Sequence, residues 1–378
     1  MELKYTSKFS RPLDGLRGVA ILLVLLFHCF TATIAPWRYV VDLGWCGVDL
    51  FFVISGFLIT GILLDTRGST QFFRNFYVRR TLRIFPLYYA VLIVFFAGVA
   101  ITRVHWGGYL QEHAAWFFLY MQNLLMVRDG MPAPAGMLNH TWSLAVEEQF
   151  YLVWPWLVAW VPRKGILWVA LFGVVVSVAL RNIHPEQPFS YVFPLARMDG
   201  LLLGAIVALL IRSRPHALLR WAPPVALVSS VGAVVVLFSA GGTHLKLEPI
   251  IRYGYLLLDV FFAALLPLLY ATGNGPGLFQ RVLSWRGFVF FGKYSYGIYL
   301  LHGIVQEPVM KAMHKGFVSV GVDVPGALVS AMFIAGTCLV CVASYHLFER
   351  RFLLLKDRLA PASAAAVHSP NSPGSPRS

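Results

Sequence analysis

Of the chain's 378 residues 58% are hydrophobic and only 13% charged, a balance with too little polar surface for a water-soluble globular protein. A bilayer is its natural solvent, and membrane lipids are expected partners. The formal net charge of +14 sits in short loops between apolar runs, with no aromatic-interleaved basic stripe, so no nucleic-acid partner is expected.

A helix needs about 20 residues to cross roughly 30 Å of hydrocarbon. Runs of that kind recur along the whole sequence and predict an all-α, polytopic integral membrane bundle of about ten transmembrane helices. The expected spans are 18–36, 45–64, 84–102, 142–161, 166–181, 191–211, 222–240, 253–272, 288–306 and 326–348. The stretch 114–127 is apolar but too short to cross, and reads as an interfacial or re-entrant piece. With the N-terminus inside, 22 Lys and Arg residues fall on the cytoplasmic side and eight outside, as the positive-inside rule requires for both termini cytoplasmic. Residues 1–358 then form one membrane domain, and the Ala-, Ser- and Pro-rich tail 359–378 has nothing to bury and is expected to be disordered. The four cysteines fit neither a disulfide framework nor a zinc site, and no metal is expected.

Ionisable side chains within a span cost several kcal/mol unless paired or hydrated, so each is a functional candidate. In the first span Arg17 and His28 are eleven residues apart. On a helix that separation brings them to within about 20° of one direction, about 16 Å apart in depth. An interfacial anchor plus a packed histidine would give the same pattern. Asp49 opens the second span, where Ser55 and Gly56 offer a close-packing notch. Trp142 begins the fourth, and Ser143, Glu147 and Tyr151 make a polar stripe along it at i, i+4, i+8. Glu148 points about 100° away. In the ninth span Ser295, Tyr299 and His302 share a face, while Arg197 and Asp199 on the sixth read as a charged pair. Arg79, Arg80 and Arg83 lie at a cytoplasmic helix boundary, where the guanidinium forks of Arg80 and Arg83, one turn apart, suit phosphate; a topology anchor would need only their charge.

Six segments in order carry a family resemblance: PLDGLRGVAILLVLLFH, GVDLFFVISGFLI, RRTLRIFPLYY, TWSLAVEEQFYLVWP, RMDGLLLGA and GKYSYGIYLLH. Across roughly residues 9–352 the chain resembles the membrane-bound acyltransferase 3 family, whose members O-acylate polysaccharides, lipopolysaccharide, peptidoglycan and macrolides. The resemblance implies transfer of an acyl group from cytoplasmic acyl-CoA, acetyl-CoA in most members, to a hydroxyl of a glycan or related cell-envelope acceptor, in the bacterial inner membrane. It implies catalytic roles for Arg17, His28 and Glu147 and a donor-binding role for Arg80 and Arg83, with Arg79 beside them. Asp49, Trp142, Ser143, Tyr151, Tyr299 and His302 are expected in the substrate pocket. On this reading His28 is the general base and Glu147 orients its imidazole. The rival reading is a proton-coupled transporter or flippase that makes no bond, with His28, Glu147 and His302 as a proton relay. A purely structural scaffold is a third, and it leaves the intramembrane charges unexplained.

Overall fold

The computed structural model describes residues 2–3, 10–29, 37–102, 107–131, 136–272, 277–319 and 326–361. Apart from a two-residue antiparallel ladder, Glu2–Leu3 against Ala271–Thr272, the described elements are helical. The principal helices are α1 (Arg11–Cys29), α2 (Gly47–Thr66), α3 (Phe72–Thr102), α4 (Gln122–Asp129), α5 (Trp142–Trp160), α6 (Arg163–Ile183), α7 (Asp199–Ser213), α8 (Pro215–Ser239), α9 (Tyr255–Leu268), α10 (Arg286–Ser319), α11 (Gly326–Ser344) and α12 (Arg350–Leu359).

Six described helical stretches are long and apolar enough to cross a membrane: Arg38–Thr66, Phe72–Thr102, Arg163–Ile183, Pro215–Ser239, Ile250–Leu268 and Leu328–Leu359. The other four expected spans correspond to α1, α5, α7 and α10. Of these, α7 is only 15 residues long, and charged residues lower the apolarity of the other three: Arg11, Asp14 and Arg17 in α1, Glu147 and Glu148 in α5, and Arg286 and Lys293 in α10. The last seven residues of the first expected span, 30–36, and most of the tail, 362–378, lie outside the described residues.

In lipid, apolar surface gives helices little reason to associate, so close van der Waals approach of backbones takes over. Two seams show this. Where α1 meets α10, a Cβ added to Gly18 would lie 1.9 Å from the Phe288 carbonyl oxygen, and one on Gly292 1.7 Å from that of Asp14. Where α2 meets α7, a Cβ on Gly56 would lie 1.8 Å from the Leu201 carbonyl oxygen, and one on Gly204 2.1 Å from that of Val53. Only glycine permits either seam. By contrast α6 and α8 are peripheral and turn Phe172 (70% exposed) and Phe238 (83% exposed) outward, as lipid-facing helices should.

The short apolar stretch after α3 packs between α3 and α5, where side chains of both helices satisfy its irregular backbone. Tyr88 donates its hydroxyl to the Phe117 carbonyl (2.8 Å), Tyr89 to that of Phe118 (3.0 Å), and the Gln149 side-chain amide to that of Tyr120 (2.8 Å). Tyr120 itself takes a left-handed φ of 55°, and its ring stacks on Tyr88 with centroids 4.2 Å apart.

Candidate active site

A cavity with about 110 Å³ of solvent-sized space opens among α1, α2, α3, α5 and α10. One end is cationic, lined by Arg17 of α1 and by Arg80 and Arg83 of α3. The Arg80 and Arg83 side chains reach the cavity together because they are one helical turn apart. Arg17 is fixed by a bond to Ser295 Oγ (3.0 Å) and by Asp14 at 3.7 Å. Arg80 lies 5.6 Å from the centre of the Tyr151 ring, whose hydroxyl hydrogen-bonds Ser55. The Tyr296 hydroxyl donates to the Ile84 carbonyl (2.6 Å), tying α10 to α3 beside Arg83.

Glu147 lines the same wall, with Ser55 and Tyr151 at its carboxylate and Arg80 and Arg17 nearby. Its neighbours are thus the cationic end, not the His28 imidazole that it was expected to orient. One turn towards the N-terminus of α5, Ser143 and Tyr299 close the cavity with a hydroxyl pair at 2.5 Å. Tyr299 also lies 2.7 Å from the carbonyl oxygen of His140. A carbonyl can only accept, so the proton order runs from Ser143 to Tyr299 to His140 O.

Behind this pair three imidazoles meet. His28 and His302 are in edge contact with ring centroids 5.0 Å apart, and His302 and His140 are 4.7 Å apart. His28 reaches the Val24 carbonyl through Nδ1 (2.9 Å), and His302 reaches that of Tyr299 through Nδ1 (2.6 Å). His140 Nε2 lies 3.2 Å from the Leu300 carbonyl, and its ring fits against α10 only because residue 303 is glycine: a Cβ there would come within 2.3 Å of Nδ1. His28 and His302 do not line the cavity; they sit behind Tyr299, whose ring is 5.7 Å from His302.

Besides His302, which was expected to line the pocket and instead sits behind Tyr299, three expected pocket or donor residues lie elsewhere. Asp49 is fully buried in an ion pair with Arg197. Trp142 packs against Phe52 and Tyr191 and flanks that same arginine at 5.9 Å. Arg79 turns away from the cavity to Asp357 (3.2 Å) and the Ala360 carbonyl (2.6 Å), holding α12 against α3. The supposed pair of Arg197 and Asp199 is also rearranged. Asp199 bonds Arg181 at 2.5 Å, and Arg197 sits 4.3 Å from the centre of the Tyr255 ring. Arg181, at the end of the expected span 166–181, is fully buried. Ser295 is marked in the sequence by the helical face that it shares with Tyr299, whereas His140 and Tyr296 are not: His140 precedes its helix and has no periodicity to mark it.

Among the described residues no group of His, Cys, Asp or Glu side chains is arranged to hold a metal ion. The fold and the site define a helical integral membrane protein whose buried cationic cavity abuts a histidine cluster. A family model described as an acyltransferase domain, Acyl_transf_3, matches residues 12–346, and the chain belongs to that family. It is 27% identical over 332 residues to the peptidoglycan O-acetyltransferase OatA of Listeria monocytogenes, covering 79% of this chain and 50% of the relative. It is 26% identical over 379 residues to the O-acetyltransferase OatA of Staphylococcus aureus, covering 92% and 58%. The chain thus spans about half the length of these curated relatives. No solved structure matches it.

Proposed function

We propose that the protein is an O-acyltransferase of the bacterial inner membrane, with ten spans and both termini cytoplasmic. It moves an acyl group, acetyl first among candidates, from cytoplasmic acyl-CoA to a hydroxyl of a cell-envelope glycan. The names of the relatives favour peptidoglycan as that glycan. The observation that carries the reading is one cavity with three arginines at one end and a hydroxyl pair backed by histidines at the other.

Acyl-CoA is an elongated donor with phosphates at one end and a thioester at the other. Arg80 and Arg83 are suited to the phosphates, since guanidinium forks bind such groups bidentately. Arg17, one helix away, contributes charge to the same end. Glu147 keeps these side chains oriented and offsets their mutual repulsion, the role its neighbours favour over that of orienting His28. At the far end His28, donating through Nδ1 to Val24, keeps Nε2 as the general base for the acceptor hydroxyl. The acceptor oxygen bonds to the acyl carbon, the carbon–sulfur bond breaks, and the thiol leaves with a proton.

The test is transfer of radiolabelled acetyl-CoA to peptidoglycan in membranes holding the unaltered protein or His28→Ala at equal abundance. Label in the glycan that drops by about 100-fold or more in the variant is the expected result, in line with the usual contribution of a general base. Full activity in the variant would remove His28 from the mechanism. Absence of label with the unaltered protein, across acyl donors and glycans, would sink the acyltransferase reading.

A further inference from the structure

His302 has a ring nitrogen that its surroundings leave unused. Its side chain is 0% exposed, and its Nδ1 is committed to carbonyl oxygens of its own helix, at 2.6 Å to Tyr299 and 3.2 Å to Ile298. A carbonyl accepts only, so Nδ1 carries the hydrogen and Nε2 is left as a lone pair. That buried Nε2 has no hydrogen-bond partner among the described residues. Burying an acceptor without a donor is unfavourable, and side chains with such atoms in native proteins call for an explanation.

The surroundings supply one. The titratable side chains facing the ring from the elements packed against it are His28 on α1 and His140 ahead of α5, with Tyr299 on its own helix. No acidic or basic side chain other than these histidines contacts the ring among the described residues. His28 is in edge contact and partly exposed, whereas His302 is wholly enclosed.

We propose that His302 is a positioning residue and proton acceptor for His28, so that the two imidazoles work as a pair whose lone-pair end is Nε2 of His302. This rests on the acyltransferase reading above and deepens it. The acceptor's O–H bond breaks and its proton passes to Nε2 of His28. With Nδ1–H of His28 held by the Val24 carbonyl, the hydrogen now on Nε2 of His28 is released from the acceptor oxygen as that oxygen bonds to the acyl carbon. It turns to Nε2 of His302, which accepts it and shares the imidazolium charge. The acceptor oxygen forms the ester bond, the carbon–sulfur bond of the donor breaks, and the proton held by the pair returns to the thiolate. Atoms and charge balance with no other reactant. His140 encloses the far face of His302 and keeps water from satisfying Nε2 in place of His28.

Two substitutions separate this role from packing. His302→Asn keeps an amide N–H close to the position of Nδ1, and with it the bond to the Tyr299 carbonyl, but removes the Nε2 lone pair. His302→Gln sets its amide near the position of Nε2 and can accept a hydrogen bond there without holding a proton. In membranes with radiolabelled acetyl-CoA and peptidoglycan, kcat is expected to fall about 100-fold in His302→Asn and less in His302→Gln, with the donor KM within twofold and detergent-solution Tm unchanged. Combining His302→Asn with His28→Ala should cost little beyond His28→Ala alone, because the residues act as a unit. His302→Asn turning over like the unaltered protein overturns the inference and leaves the acyltransferase reading standing. Fully additive losses in the double variant overturn it as well. No transfer by the unaltered protein overturns the reading and the inference together.

Discussion

Two groups of charge are buried in this bundle, and they are built on different principles. The cluster joining α2, α6, α7 and α9 is closed: Asp49 pairs with Arg197, Arg181 with Asp199, and the Tyr255 ring covers Arg197. The group joining α1, α3 and α5 is open: Arg17, Arg80 and Arg83 surround a cavity with Glu147 as the acid on its wall. In the first group each arginine has found a carboxylate. In the second, cations outnumber acids around space, an arrangement that favours an anion entering from outside the chain. Residues that look alike in sequence, a charge inside an apolar run, thus divide into those paired across helices and those that line a cavity.

This contrast can be broken experimentally. The largest effect is expected in the closed cluster. Arg197→Leu alone strands a buried Asp49 carboxylate and should destabilise the protein by about 3–5 kcal/mol, whereas pairing it with Asp49→Leu should recover much of that loss. Thermal unfolding in detergent reads both, and equal losses in single and double variants would mean that the pair does not act as a unit. Next is the seam that carries the cluster. Gly204→Ala drives a methyl group into the Val53 carbonyl and should cost about 1–3 kcal/mol in the same assay, with the acyl-donor KM of the surviving protein little changed.

Changes at the open end should reverse that pattern. Arg83→Lys keeps the charge but loses the planar fork, so the donor KM should rise about tenfold, near 1.4 kcal/mol, while Tm holds. A fall in Tm without a change in KM would make Arg83 a structural residue like Arg197. The smallest effect belongs to Arg79→Ala. Its partner Asp357 is 60% exposed, and such pairs contribute about 0–1 kcal/mol, so donor KM should be nearly unaltered. A tenfold rise in KM there would return Arg79 to the donor site.

Much of the cavity was legible in the sequence because helical periodicity is a local property. Ser143, Glu147 and Tyr151 at intervals of four had to share a face, and so did Arg80 and Arg83. All five line the cavity. Periodicity gives the direction of a side chain about its own helix but does not name what stands opposite. Trp142, one residue before Ser143, turns to Arg197, and Arg79, one before Arg80, turns to α12. Asp49 was marked as costly to bury, yet its partner is 148 residues away and no local pattern announces it.

The sequence by itself determined that the chain lives in a membrane, that it is helical, and which residues share each helical face. These follow from composition and from the fixed geometry of a helix, in which each backbone group must be bonded within the segment. The tertiary structure decided which arginines pair with buried carboxylates of other helices and which line a cavity, that His140 joins His28 and His302, and that Glu147 faces arginines. Those outcomes depend on which faces meet across the glycine seams, and contacts between helices far apart in sequence are set by packing of the whole bundle.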